Sequence, residues 1–306
     1  MAVAGGGALA AAVTRAGGLG LIGGGYGNSD WLKAQFLAAG NEAVGCGFIT
    51  WSLAQNPGLL DEALAHKPRA IMLSFGDPRP FARTIQASGA QLICQCQNMQ
   101  HVREALEAGA GVIVAQGAEA GGHGQSRGTM SFVPEVADLL ARERPHGLLV
   151  AAGGIADGRG LAAALMLGAD GVLMGTRFWA ASEALVHPGH HAAIVAASGD
   201  GTMRTNAPDA ARRLSWPSGF TIRVRENQFT REWHGREAEM ADVIETESAL
   251  YAERFAAGDP EKAAVVFGEA AGLIHDVQPA AAIMDAAMAQ AAQALKMGAS
   301  AISPSG

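Results

Sequence analysis

Residues 111–124 read GVIVAQGAEAGGHG, an apolar run followed by a loop in which four glycines flank a single histidine, His123. The apolar positions are continuous rather than alternating, which is typical of a strand buried on both faces of a parallel sheet. Glycine lets the backbone after such a strand turn tightly or lie close to a ligand. This stretch therefore predicts an α/β fold with a functional site at the carboxyl end of the strand.

Six further runs share the continuous apolar pattern and predict parallel strands: residues 19–23, 44–49, 70–75, 92–95, 148–152 and 171–174. Amphipathic segments between the runs predict helices, for example at residues 98–108, 134–144 and 160–167. Alternating strands and helices form either a (β/α)₈ barrel or a doubly wound open sheet. The pattern by itself allows both architectures.

A barrel needs eight strands, and the sequence offers seven. Residues 7–15 predict a helix that should follow the first strand, but residues 1–4 are too short to form it. We therefore expect a TIM barrel with a truncated first strand, from a natural chain that begins roughly 10–20 residues earlier. The alternative is an open barrel with an unpaired edge, which is unfavourable in a parallel sheet.

The sequence changes character after residue 200. Residues 200–232 are polar and contain prolines and tryptophans, whereas residues 237–297 are rich in alanine and glutamate and predict helices. No low-complexity linker separates these two parts of the chain. We expect residues 1–200 to form the barrel and residues 201–306 to form a helical lid over one of its mouths.

The composition excludes several classes of protein. The net charge of −7 disfavours nucleic acids and anionic membranes as partners, because both select basic surfaces. No apolar run approaches the ~20 residues of a membrane span, and the first 25 residues lack the basic start of a signal peptide. The three cysteines, two of them in one apolar run, fit reduced core thiols of a cytoplasmic protein.

The active sites of barrels lie at the carboxyl ends of the strands, so the residues that follow each apolar run are the candidates for chemistry. His123 titrates near neutrality and can take or donate a proton. A lone histidine is more often incidental, but the strand end and the surrounding glycines favour a functional role here. His187, His190 and His191 have no acidic partner at ligand spacing, and we expect no metal site.

A Gly-Gly pair and a Gly-Thr pair follow the last two predicted strands. Gly153 and Gly154 end the run at residues 148–152, and Gly175 precedes Thr176 after the following run. Phosphate sites of barrels are commonly built from these two loops, where backbone N–H groups and a hydroxyl donate to the anion. A lone Gly-Gly pair often means only close packing, so the prediction depends on both loops together.

Gln95 and Gln116 are polar residues that close apolar strands. A buried amide needs hydrogen-bond partners. The ring edge of a cofactor would supply them, and neighbouring backbone groups would do so equally well. The sequence leaves these two alternatives open.

The motifs together resemble those of the nitronate monooxygenase family, formerly called 2-nitropropane dioxygenases. Residues 116–123, 152–158 and 175–178 carry the resemblance, and residues 16–20 and 229–237 also match. The match extends over nearly the whole chain. The glycine–histidine motif in this context is specific for the superfamily and less specific for the substrate.

The resemblance implies a TIM barrel that binds FMN and oxidises alkyl nitronates with O₂ to carbonyl compounds and nitrite. The matching histidine of the family lies beside the flavin as a base or as a partner of the substrate anion, a role that falls here to His123. The lid would exclude water from the site. The resemblance places nine residues around FMN: Met1, Gln95, Gln116, Gly121, Gly122, Gly153, Gly154, Gly175 and Thr176.

One departure bears on the substrate. Many members of the family carry asparagine after the third apolar strand, where this chain has GCGF at residues 45–48. A contact with the flavin or the substrate is therefore expected to be lost or replaced.

Three other functions are alternatives to nitronate oxidation. They are a flavin-dependent enoyl-acyl-carrier-protein reductase that uses NAD(P)H, a non-redox phosphate-binding barrel, and a flavin-binding protein without catalysis. A homodimer is the default expectation for the assembly.

Overall fold

The computed structural model describes residues 4–302, so the predicted cofactor contact of Met1 lies outside the described residues. The strands of the described chain are β1 (Leu21–Gly23), β2 (Gly45–Ile49), β3 (Ala70–Ser74), β4 (Gln91–Cys96), β5 (Val112–Gln116), β6 (Gly122–Gly124), β7 (Leu148–Ala152), β8 (Gly171–Leu173), β9 (Thr202–Thr205) and β10 (Thr221–Arg225).

The helices are α1 (Gly7–Arg15), α2 (Ser29–Ala39), α3 (Thr50–Leu53), α4 (Gly58–Ala65), α5 (Arg79–Ala87), α6 (Met99–Glu107), α7 (Thr129–Glu143), α8 (Gly158–Met166), α9 (Thr176–Trp179), α10 (Pro188–Val195), α11 (Ala207–Ala211), α12 (Gln228–Trp233), α13 (Glu237–Asp242), α14 (Ile244–Ala256) and α15 (Ala280–Ile302). Two 3₁₀ turns lie at Gly199–Gly201 and Glu269–Leu273.

Seven strands form one parallel sheet in the order β1-β2-β3-β4-β5-β7-β8. All seven predicted strands are confirmed, with ends that differ by at most two residues. A doubly wound sheet reverses its strand order at a switch point, whereas this order follows the chain throughout. The sheet is therefore that of a TIM barrel, as the sequence predicts, and the described residues contribute seven parallel strands to it.

Alternate residues of the strands pack on opposite sides of the sheet. Met72, Ile93 and Val114 lie in one buried cluster, which fills the inside of the curved sheet. Their neighbours Ile71 and Ile113 lie in a larger cluster between the sheet and its helices. This arrangement explains the continuous apolar runs, since both faces of each strand are buried.

The sheet is open between β1 and β8, which do not pair within residues 4–302. Next to this opening, the backbone N–H of Gly23 donates to the carbonyl of Gly5 at 2.7 Å. Helix α15 packs against both α8 and α1, the helices nearest the two edges. Gly158 allows this close approach, because a Cβ there would lie 2.2 Å from the Ala287 carbonyl oxygen.

After β8 the chain leaves the barrel and forms β9 and β10. Strand β10 pairs antiparallel with β9 on one side and with β6, in the loop after β5, on the other, which gives a second sheet in the order β6-β10-β9. The segment predicted as a helical lid contains helices α11 to α15 and, in addition, two strands at residues 202–205 and 221–225 that the sequence analysis did not predict. Strand β10 has the sequence TIRVR, whose alternation of polar and apolar residues is the local signal of a half-buried strand that the sequence analysis missed. Strand β9 is short and pairs with β10. The predicted division of the chain at residue 200 stays a prediction.

Among the described helices, including the 23-residue α15, none has the length and apolarity to cross a membrane.

Gly20 provides a test of the packing between α1 and β1. A Cβ at Gly20 would lie 1.8 Å from the carbonyl oxygen of Ala10, a contact that backbone atoms cannot relieve. We expect Gly20→Ala to lower the free energy of unfolding by on the order of 3 kcal/mol in urea denaturation. Gly298→Ala is the matched control, because that helical position has open space, and alanine there should be neutral or stabilising. Equal stabilities of the two variants would contradict this account.

Candidate active site

Three glutamines meet at the carboxyl ends of β4 and β5. The side-chain oxygen of Gln116 accepts hydrogen bonds from the amides of Gln95 at 2.7 Å and Gln97 at 2.8 Å. The amide of Gln116 donates to the backbone carbonyl of His123 at 3.0 Å. Neighbouring protein groups therefore satisfy Gln116, and the network ties the strand ends to the glycine–histidine loop.

Ser74 brings an unsatisfied hydroxyl to the same region. It pairs with Gln95 in the sheet register and lies on the inward side of β3, in phase with Met72. Its side-chain oxygen is buried and has no hydrogen-bond partner in the described protein. A buried hydroxyl without a partner is costly, so this position favours a polar ligand.

His123 lies on β6 and is held by residues from the second sheet. Its register partner on β10 is Ile222. The imidazole is 8% exposed, and its Nε2 lies 2.8 Å from Oδ2 of Asp209, whose side chain is also buried. The indole of Trp216 stacks on the ring, with centroids 3.4 Å apart and planes inclined by 8°.

Two opposing effects act on the proton affinity of His123. Burial lowers its pKa below the ordinary value, and the hydrogen bond to Asp209 opposes this shift without cancelling it. Burial therefore favours the neutral form of the imidazole. A carboxylate only accepts hydrogen bonds, so the proton of the neutral ring lies on Nε2 and the lone pair on Nδ1.

Aromatic side chains surround His123. Phe75 and Phe220 form edge contacts with each other and with Trp216, and the Phe75 ring lies 6.2 Å from that of His123. The indole N–H of Trp216 donates to the hydroxyl of Tyr26 at 3.1 Å. Phe75 has a φ of +66°, a conformation that bulky residues rarely adopt and that persists only where the surroundings impose it.

The predicted phosphate residues lie on two neighbouring loops. Gly154 and Gly175 are exposed, and both Gly153 and Gly154 have positive φ, at +102° and +72°. A Cβ at Gly175 would meet no atom within 4 Å. The Thr176 hydroxyl accepts a hydrogen bond from the backbone of Gly268 at 3.0 Å and keeps its own proton free to donate.

Gly121 and Gly122 serve different purposes. A Cβ at Gly121 would lie 2.5 Å from backbone atoms of Phe267 and Gly268, so Gly121 allows the loop to pack against that segment. Gly122 has a φ of +77°, which glycine adopts without strain. Both residues shape the loop that presents His123.

Two half-buried arginines hold the start of the same loop. The guanidinium groups of Arg204 and Arg223 both donate to the carbonyl of Ala118, at 2.9 and 3.0 Å. Arg223 also pairs with Glu269 at 2.8 Å. The second sheet therefore positions the loop through side chains as well as through its strand pairing.

Sequence reasoning missed Asp209, Trp216, Phe75 and Gln97. Asp209 is 86 residues from His123 in the chain and lies in a polar stretch without periodicity. The only signal was the presence of tryptophans in that polar stretch, where a solvated loop would not place them.

Comparisons with known proteins identify the family of the chain. The sequence pattern of the family described as nitronate monooxygenase matches residues 49–298. The chain belongs to this family. A family relative, the nitronate monooxygenase npaC of Metarhizium robertsii, is 37% identical over 90% of this chain and 85% of its own length.

Two solved structures resemble the whole fold of this family member. FabK from Thermotoga maritima is 31% identical, with a TM-score of 0.86 over 99% of this chain and 94% of its own. Nitroalkane oxidase from Streptomyces ansochromogenes is 25% identical, with a TM-score of 0.80 over 97% of this chain and 95% of its own. The similarity covers nearly the full length, so the chain shares its overall fold with these two structures.

Three buried or half-buried histidines predict how stability depends on pH. Burial lowers the pKa values of His101, His123 and His190, so the unfolded chain binds more protons than the folded chain as the pH falls below about 6.5. We expect the free energy of unfolding to be lower at pH 5.5 than at pH 7.5. His190→Gln should reduce this difference, and the exposed His146→Gln should leave it unchanged. The same pH dependence in all three proteins would rule out this explanation.

Proposed function

We propose that this protein is an FMN-dependent enzyme that oxidises alkyl nitronates with O₂ to carbonyl compounds and nitrite. The observation that carries the proposal is the buried His123–Asp209 pair at the mouth of a barrel whose sequence belongs to the nitronate monooxygenase family. The relative from Metarhizium robertsii is itself named a nitronate monooxygenase.

The residues at the strand ends fit FMN. The exposed glycines at positions 154 and 175, with the Thr176 hydroxyl, supply donors for a phosphate at the loops where barrels commonly bind one. The unsatisfied Ser74 hydroxyl and the Gln95 side chain face inward and supply polar contacts for the rest of the cofactor. When bound, FMN would supply the electron-accepting chemistry that links the organic substrate to O₂.

His123 would handle the proton and the charge of the substrate. In the neutral form, which burial favours, the imidazole is a base, because the lone pair on Nδ1 can accept a proton. Once protonated, the same ring attracts a nitronate anion. The buried carboxylate of Asp209 stabilises that cation at a hydrogen-bond distance of 2.8 Å.

The aromatic residues around His123 would bind the alkyl part of the substrate and exclude water. Phe75, Trp216 and Phe220 form an apolar wall beside the imidazole. Exclusion of water strengthens the electrostatic interactions inside a site. The second sheet, which carries Trp216 between β9 and β10, is the part of the chain that covers His123.

Two further expectations concern the location of the protein in the cell and its assembly. The buried, unpaired cysteines at positions 46, 94 and 96 fit a cytoplasmic location, where thiols stay reduced. We propose that location, and the homodimer stays a prediction.

The visible spectrum of the purified protein is the first test. We expect flavin absorption bands, with FMN released on heating, and nitronate-dependent O₂ uptake with formation of nitrite. Rapid NADH oxidation without nitronate turnover would favour the enoyl reductase instead. A colourless protein that does not bind added FMN would refute the proposal.

The variant His123→Ala tests the role of the imidazole. We expect it to retain FMN and to lose most of the nitronate turnover, because the residues proposed to hold the cofactor are intact. Turnover at the wild-type level would refute the assignment of His123.

The position of the phosphate can be tested at Gly175. Both Gly175→Glu and Gly175→Gln fit, because no atom lies within 4 Å of the added Cβ. The glutamate would repel the phosphate, so we expect it to bind FMN about tenfold more weakly than the glutamine, measured by quenching of flavin fluorescence. Equal dissociation constants for the two variants would place the phosphate elsewhere.

A further inference from the structure

Asp209 has an environment that a purely structural carboxylate would not require. Its side chain is buried, and one oxygen, Oδ2, contacts Nε2 of His123. The other oxygen, Oδ1, is buried without a hydrogen-bond partner in the described protein. Burying a carboxylate is costly unless it is paired. The hydrogen-bond partner of Asp209 is the imidazole of His123, so the position of Asp209 points to a role in the chemistry of that imidazole.

The position of Asp209 is fixed by the second sheet. It lies in α11, directly after β9, and its backbone N–H donates to the Asn206 carbonyl at 3.0 Å. Strand β10, which follows, pairs with β9 on one side and with the strand of His123 on the other. Asp209 and His123 therefore belong to one hydrogen-bonded unit, although they are far apart in the sequence.

From this geometry, and resting on the proposed function, we propose that Asp209 is a positioning residue for His123. The hydrogen bond holds the imidazole with its proton on Nε2, leaves Nδ1 as the basic atom, and stabilises the imidazolium that forms. Trp216, stacked on one face of the ring, restricts its rotation. The part of the chain after β8 therefore supplies the residue that orients the base, in addition to covering the base.

The step that depends on Asp209 is removal of a proton from a neutral nitroalkane. The bond between the α-carbon and hydrogen breaks, its electron pair stays on the substrate as the nitronate, and the proton forms a new bond to Nδ1. No oxidant takes part in this step. A substrate supplied as the nitronate has already lost that proton and does not need the base.

Other charged groups near His123 do not replace Asp209. Arg212, in the same turn of chain, lies over the Tyr26 ring at 5.0 Å, and its positive charge lowers the pKa of His123. Arg204 and Arg223 on the adjacent strands donate to the Ala118 carbonyl. Asp209 is therefore the group that favours the protonated form of His123.

The test compares Asp209→Asn with Asp209→Glu, and uses Asp138→Asn, an exposed helical position, as the matched control. For nitroethane we expect Asp209→Asn to lower kcat/KM about 100-fold and to move the inflection of its pH profile to lower pH. The loss with ethyl nitronate should be smaller. Asp209→Glu should recover part of the activity, and Asp138→Asn should behave like the wild type.

Equal losses with both substrates, at an unchanged inflection and with full FMN content, would overturn the proposal. A second measurement does not depend on turnover. In protein labelled with ¹⁵N-histidine, with the signals of His123 assigned through His123→Ala, we expect the Nε2–H tautomer in the wild type and a lower imidazole pKa in Asp209→Asn. An Nδ1–H tautomer in the wild type would also overturn it. If the wild-type enzyme consumes neither nitro compound, the proposed function fails while the tautomer still tests Asp209.

Discussion

The antiparallel pairing of β10 with β6 is the contact on which the candidate site depends. It joins a three-residue strand in a barrel loop to a segment about a hundred residues further along the chain. Through this pairing Asp209 and Trp216 reach the imidazole of His123, and Arg204 and Arg223 reach the carbonyl at the start of the loop. Without the pairing, the histidine would be a solvated residue on a glycine-rich loop.

The barrel contributes the rigid edge on which the strand-end residues of the site meet. Its parallel strands end at one edge, so side chains and loops that are distant in sequence meet there. Gln95 and Gln116 close adjacent strands and bond to each other, and Gln116 extends the network to the backbone of His123. The rigid sheet thus fixes one side of the site, and the excursion after β8 supplies the other.

The strands, the first helix and the glycine–histidine loop could be predicted because their signals are local in the sequence. Continuous apolar runs identified the seven parallel strands, and α1 begins and ends at the predicted residues, because burial on both faces and helical periodicity are local properties. The glycine–histidine loop was found for the same reason. Asp209 could not be found, since its role comes from a contact with a residue 86 positions away. The alternating residues of β10, with Ile222 and Val224 buried, were a local signal that the sequence analysis missed, whereas the four-residue β9 carries no such alternation.

Helix α15 packs on α8 and α1 and so spans the seam between the two edges of the parallel sheet. At the β1 edge of this seam, the packing of α1 on α15 lies beside the backbone hydrogen bond from Gly23 to Gly5. Helix α15 also packs on α9, which begins at Thr176 directly after Gly175. The last helix of the described chain therefore supports the loop at the proposed phosphate position, although it contributes no residue to that loop.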